Sequence, residues 1–164
     1  MHSQIVHNGR LGPVEACLSP GQFGLLSGWG VFSTLRIYSG IPLAFEWHWE
    51  RMIRDARRLR VRMDFDPQEI RGQLLGLIAA NQALEAAARV SFIRNGGGLW
   101  SAGTGRETDY LLFTGDLPAF PSSARLAVCP QSRHAASPLA GVKVLSWVGN
   151  VATLEEAQQR GFDE

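Results

Sequence analysis

The sequence predicts an α+β fold: an N-terminal antiparallel sheet with two helices, followed past a linker by the start of a second unit. Three observations carry this reading. Tight-turn signals join extended segments within residues 4–45, two stretches with helical apolar spacing come next, and two β-rich segments return after them. Strands, then helices, then strands is the order of an α+β domain rather than of an alternating parallel one.

Gln4-Ile5-Val6-His7 runs extended into Asn8-Gly9, a pair that supplies the positive φ of a type I′ turn, so the chain opens with a hairpin. Residues 31–38 are β-branched and aromatic with roughly alternating polarity, and Ser39-Gly40 turns them into Ile41-Pro42-Leu43-Ala44-Phe45, a second hairpin. From Glu46 to about Arg60, Trp49, Met52, Ile53, Ala56 and Leu59 recur at three and four residues, which makes an amphipathic helix with an arginine-rich outer face. The next helix opens with Asp66 as N-cap, Pro67 in the first helical position and Glu69 placed for a capping box. Ile70, Leu74, Leu77 and Ile78 form its buried stripe, and it is expected to run to about Ala87.

Strands are expected at 89–94 and 109–114, joined by the glycine-rich residues 95–105. The proline and serine content of residues 116–123 marks a linker, which divides the chain into a domain over 1–117, a linker over 118–124 and a second unit over 125–164. In that unit a strand is expected at 125–129, a loop through Ser137-Pro138 and another strand around Lys143. A helix from about Asn150 to Arg160 follows, with Gly161 as its C-terminal cap.

With 45% apolar residues and a formal charge of +1, the 164-residue chain has the composition of an ordinary globular protein, and the near-neutral balance argues against nucleic-acid and membrane-surface partners. The longest apolar stretch, residues 74–80, is far too short to span a bilayer. Cys17 and Cys129 form no disulfide framework and no metal-ligand spacing, and are read as reduced in a cytoplasmic protein. The four histidines show no zinc spacing, and no serine stands in a nucleophile elbow. Gly28-Trp29-Gly30 leads into a strand rather than a helix, and residues 95–105 lack the Gly-Lys-Ser/Thr ending of a phosphate loop.

Fifteen of the sixteen basic residues are arginine, and the single lysine is Lys143. Arginine stays protonated, whereas a desolvated lysine amine can lose its proton and attack a carbonyl. Lys143 is therefore either a surface charge or a Schiff-base nucleophile. His48 and Arg51 stand three apart at the start of the first long helix, where an arginine is either solvated or a ligand for phosphate.

Three segments, in order, resemble the class IV aminotransferase family of pyridoxal-phosphate enzymes: Gly28-Trp29-Gly30-Val31-Phe32-Ser33-Thr34-Leu35-Arg36, then His48-Trp49-Glu50-Arg51-Met52, then Gly141-Val142-Lys143 with Asn150-Val151-Ala152 and residues 156–164. The family comprises branched-chain aminotransferase, D-amino acid aminotransferase and 4-amino-4-deoxychorismate lyase. The resemblance implies fold type IV, pyridoxal 5'-phosphate as cofactor, a homodimer, and residues 125–164 as the incomplete start of a β-rich cofactor-binding domain. Lys143 matches the lysine that forms the internal aldimine and then moves the α-proton, and Arg51 matches the arginine that holds the cofactor phosphate. Thr34 matches a threonine that assists in the lyase branch, and Arg94 lies where members place an arginine near the substrate carboxylate.

Departures from the family pattern bear on the reaction. Many of the aminotransferases carry glutamate where Ser33 stands, and Ser33, like residues 137–143, looks closer to the lyase. Trp147 lies where those aminotransferases have an asparagine-tyrosine pair. The family pattern continues past Glu164 through a domain that carries the glutamate paired with the pyridine nitrogen. Three functions are expected in turn: aminotransfer between an amino acid and a 2-oxo acid, lyase release of pyruvate and 4-aminobenzoate, or an inactive dimerising module.

Overall fold

The computed structural model of the chain describes residues 1–15, 18–19, 21–96, 105–119, 121–130, 132 and 134–164. Cys17 and residues 97–104 of the expected glycine-rich loop lie outside the described residues.

β1 (Gln4–His7) and β2 (Arg10–Pro13) form the first hairpin around Asn8 at φ 50° and Gly9 at φ 84°, the two positive values that a type I′ turn requires. A short helix that the sequence pattern did not reveal, α1 (Phe23–Ser27), precedes β3 (Gly30–Tyr38). β4 is only Ile41–Pro42, and Phe45, expected in that strand, instead begins α2 (Phe45–Leu59) and is buried beneath it. α3 spans Pro67–Ala80, with the Asp66 carboxylate accepting the Gln68 N–H at 3.0 Å. Glu69 turns to the Gln73 side-chain amide at 3.0 Å rather than completing a capping box. β5 (Ala86–Arg94), β6 (Thr108–Gly115) and α4 (Val148–Gln159) complete the order.

α3 stops seven residues short of the expected end. Asn81 ends it by behaving as a peptide group: its amide accepts the Gln4 N–H at 3.0 Å and donates to the Gln4 carbonyl and the Thr114 hydroxyl at 2.9 Å each. Residues 86–88, alanines with a strong intrinsic helical preference, are thereby committed to β5, where Ala86 and Ala88 pack in the core. Among the described residues no strand forms at 125–129 either. There the Arg125 carbonyl accepts the Asp163 N–H and the Ala127 N–H bonds the Glu164 carbonyl, both at 2.8 Å. α4 begins two residues before Asn150, and Gly161 at φ 83° follows its C-cap Arg160.

The six strands form one antiparallel sheet in the order β2-β1-β6-β5-β3-β4. α2 and α3 pack on the same face. Val31, Leu35 and Ile37 of β3, with Ala88, Val90 and Phe92 of β5, meet Phe45, Trp49, Met52 and Leu59 of α2 and Ile70, Leu74 and Leu77 of α3. Apolar burial on this scale contributes about 1.5–3 kcal/mol per large side chain. Phe32 and Thr34 alternate to the opposite face.

Beyond the sheet, Val144 forms a bridge to Val31 at the N-terminal end of β3. Gly30 makes this approach possible. A Cβ there would meet the Phe92 carbonyl oxygen at 2.3 Å and a Leu145 methyl at 2.4 Å. Gly30→Ala is expected to destabilise the protein by about 3 kcal/mol or more, because one of the two obstacles is backbone. Gly76→Ala, on α3 with nothing within 4 Å of the added carbon, is expected to stabilise by about 0.5–1 kcal/mol. Urea unfolding of the two variants measures both, and equal effects would contradict the packing described.

Candidate active site

Alternation along β3 divides the candidate site into two halves. On the helix face Ser33 is fully buried, and α2 aims two side chains at its hydroxyl. Arg51 Nη2 donates to Ser33 Oγ at 2.6 Å, and Ser33 Oγ lies 2.6 Å from His48 Nδ1. A hydroxyl has one proton to give and room to accept, so the chain of donors runs from the guanidinium through Ser33 to an unprotonated Nδ1. Burial first, then the positive charges of Arg51 and Lys143, push the His48 imidazole below its ordinary value of 6.5 and keep it neutral at pH 7. Among the described residues no carboxylate forms an ion pair with Arg51.

On the opposite face the Lys143 ammonium nitrogen lies 4.4 Å from the centroid of the Phe32 ring and 4.5 Å from that of Trp147. The two rings meet edge to face at 5.4 Å. Arg89 of β5 puts its guanidinium carbon 3.7 Å over the same Phe32 ring, and it too has no ion pair among the described residues. Burial lowers the Arg89 pKa, yet a guanidinium stays charged in a protein, so a fixed cation shares the Phe32 ring with the lysine.

The lysine-bearing segment is held from both sides. The Lys143 carbonyl accepts the Phe32 N–H at 3.4 Å and the Leu145 N–H reaches the Gly30 carbonyl at 2.9 Å. From α2, the buried Asp55 carboxylate accepts the Lys143 N–H at 3.0 Å, and Arg58 donates to the Pro138 and Ala140 carbonyls at 2.7 and 2.9 Å. A cleft lined by Gly28, Trp29, Arg58, Leu139, Val144 and Ser146 adjoins this seam but contains neither Lys143 nor Arg51.

Of the residues expected from sequence, Lys143 and Arg51 lie against opposite faces of β3, at Phe32 and at Ser33. Thr34 is exposed on the Phe32 side, directly across from Arg89. Arg94 is not brought to them. Its guanidinium carbon sits 4.5 Å over the Trp29 ring, and the indole N–H is itself bonded to the Leu59 carbonyl at the end of α2 at 2.7 Å. Arg89 and Asp55 escaped the sequence reading. The available signals were a charged residue inside an otherwise small and apolar strand, and a carboxylate seven positions after His48 on the same helical face. Among the described residues no cluster of three or more His, Cys, Asp or Glu side chains is placed to hold a metal, and no helix is long and apolar enough to cross a membrane.

Ser33→Ala removes the side-chain hydrogen bond that Arg51 and His48 each make among the described residues, and urea unfolding is expected to show a loss of about 1–3 kcal/mol. A base whose pKa is depressed by folding contributes stability that is complete above its unfolded value and is lost as pH falls toward the folded one. For His48 that loss begins at pH 6.5 and continues below it. The wild type should therefore lose stability faster between pH 6.5 and 5 than His48→Asn, whose carbonyl still accepts from Ser33. Parallel thermal-unfolding curves for the two proteins across that range would contradict the buried neutral imidazole.

Residues 30–164 match the family model described as amino-transferase class IV. A curated relative, the aminodeoxychorismate lyase of Bacillus subtilis (strain 168), is 38% identical over 76 residues, which cover 46% of this chain and 26% of that protein. Among solved structures, the branched-chain aminotransferase of Thermoproteus uzoniensis with norvaline superposes with a TM-score of 0.85 at 20% identity, over 100% of this chain and 59% of its own. The T.th. branched-chain amino acid aminotransferase with pyridoxamine 5'-phosphate gives 0.76 at 21%, over 100% and 58%. The chain thus spans between about a quarter and three fifths of the length of these relatives. With the model matched over all but the first hairpin and α1, and the fold shared along the whole length, the chain belongs to the class IV aminotransferase family.

Proposed function

We propose that this chain carries the reactive lysine and the phosphate-binding arginine of a pyridoxal 5'-phosphate enzyme, an aminotransferase acting on an amino acid and 2-oxo acid pair. One observation carries the reading: the only lysine of the sequence and two arginines without carboxylate partners among the described residues are gathered around a single strand, β3. When bound, pyridoxal phosphate supplies an aldehyde for an amine and a conjugated ring that takes up the electrons left as a proton departs.

The side chains suit such a group. Arg51, oriented by the neutral Ser33, offers a planar fork of donors to a phosphate dianion. Lys143, flanked by Phe32 and Trp147, would supply the amine that holds such an aldehyde and, as a free amine, a base for a proton on the substrate α-carbon. Arg89, over the Phe32 ring, would receive a substrate carboxylate, the role expected from the sequence for Arg94, which lies over the Trp29 ring. Thr34 adds a hydroxyl across from Arg89.

A second reading has its own support. The 38% identity with an aminodeoxychorismate lyase, together with serine at the position where many of the aminotransferases have glutamate, favours 4-amino-4-deoxychorismate lyase activity, which releases pyruvate and 4-aminobenzoate. Supplying both kinds of substrate to one preparation separates the two by the product, 4-aminobenzoate or a new amino acid.

The test of the shared chemistry is reduction of the purified protein with borohydride after addition of pyridoxal phosphate, followed by peptide mass analysis. A single side-chain adduct on Lys143 is expected. Arg51→Gln should raise the half-saturating concentration about 10- to 100-fold, the loss of a charge-assisted bond. Labelling confined to the N-terminal amine would overturn the proposal.

A further inference from the structure

We propose that Asp55 is the positioning residue for Lys143, fastening the lysine-bearing segment to the helix that carries Arg51. His48, Arg51 and Asp55 follow one another at three and four residues along α2, so they share one face and form a polar stripe beside the apolar one of Trp49, Met52, Ala56 and Leu59. The first two members of the stripe serve Ser33, and the third serves the peptide of Lys143.

Asp55 is 1% exposed, and burying a carboxylate is unfavourable unless its oxygens are bonded. Both are. Oδ1 accepts from Arg54 Nε and Nη2 at 3.3 and 3.2 Å, the guanidinium reaching in from solvent, and Oδ2 accepts the Lys143 N–H at 3.0 Å. The second bond falls where the pairing with β3 ends. The Lys143 carbonyl and Leu145 N–H face β3, and in a continued antiparallel ladder the Lys143 N–H would face it as well. It goes to Asp55 instead. The segment is thus pinned at the reactive residue itself, and the backbone of Lys143 is referenced to the same rigid helix as the Arg51 guanidinium. What this means for chemistry rests on the cofactor reading above, whereas the anchoring bond stands apart from it.

Amide hydrogen exchange on the full chain tests the anchor without any cofactor. Asp55→Ala is expected to speed exchange at the Lys143 amide by about tenfold, the worth of one hydrogen bond, with β5 unchanged as a control for the fold. Asp55→Asn keeps an acceptor oxygen and should stay within about threefold of wild type, and Arg54→Ala should not move the Lys143 amide. The rate of borohydride-trapped labelling of Lys143 by pyridoxal phosphate should fall about tenfold in Asp55→Ala and recover in Asp55→Asn, because a mobile backbone no longer presents the amine in one place. Unchanged exchange at Lys143 in Asp55→Ala overturns the proposal, as does altered exchange with an unaltered labelling rate. If Asp55→Ala also unprotects β5, Asp55→Asn decides alone: loss of protection confined to Lys143 in that variant overturns it. Exchange that responds as expected, in a wild type that takes no label at Lys143, supports the anchor and overturns the cofactor reading.

Discussion

The margin of a sheet presents N–H and C=O groups that need partners, and the outer edge of β3 is the margin on which this structure depends. β4 covers only the end of β3 at Ile37 and Tyr38. At the other end the partners come from residues 143–145, more than a hundred positions later in the chain. Completing that edge is what brings the single lysine to the strand that already faces Arg51 on one side and Arg89 on the other. Gly30 is the steric condition for it, since the Phe92 carbonyl and the Leu145 side chain occupy the space a Cβ would need.

The charges around β3 are arranged by a simple rule. Arg51 is steadied by the hydroxyl of Ser33, and Arg89 rests on the face of Phe32, so neither guanidinium is neutralised by its support. A cation held by neutral groups stays available to an anionic ligand, whereas a glutamate in the place of Ser33 would set a carboxylate against Arg51. The carboxylate that is buried here, Asp55, binds a backbone N–H and the solvent-side Arg54. Neutral His48 fits the same arrangement, because its burial first, and then the positive charges of Arg51 and Lys143, disfavour a further cation there.

Helix α2 links these parts. Its apolar stripe fixes it to the sheet, its polar stripe holds Ser33 and Lys143, and Arg58 one turn further along secures the Pro138 and Ala140 carbonyls. The connection between the sheet and the later part of the chain therefore runs through side chains of one rigid element as well as through the strand edge.

Local order in the sequence was enough to determine the Asn8-Gly9 hairpin, the cap of α3 at Asp66, the apolar stripes of both long helices and the pairing of His48 with Arg51 on one helical face, because each depends on residues within a turn or two of one another. The resemblance of three ordered segments likewise pointed to the family. What only the tertiary structure decided involves distant partners. α3 ends at Ala80 because Asn81 bonds Gln4 and Thr114, contacts that override the helical preference of the alanines that follow. Residues 125–129 form no strand, since their backbone meets residues 163 and 164 instead. Arg89 and not Arg94 meets the Phe32 ring because neighbouring parities along β5 point to opposite faces, and which parity meets Phe32 is set by register with a strand more than fifty residues away. Asp55 reads in sequence as one more charge on an arginine-rich helix, and only the arrival of the Lys143 peptide gives the second oxygen of its buried carboxylate a partner.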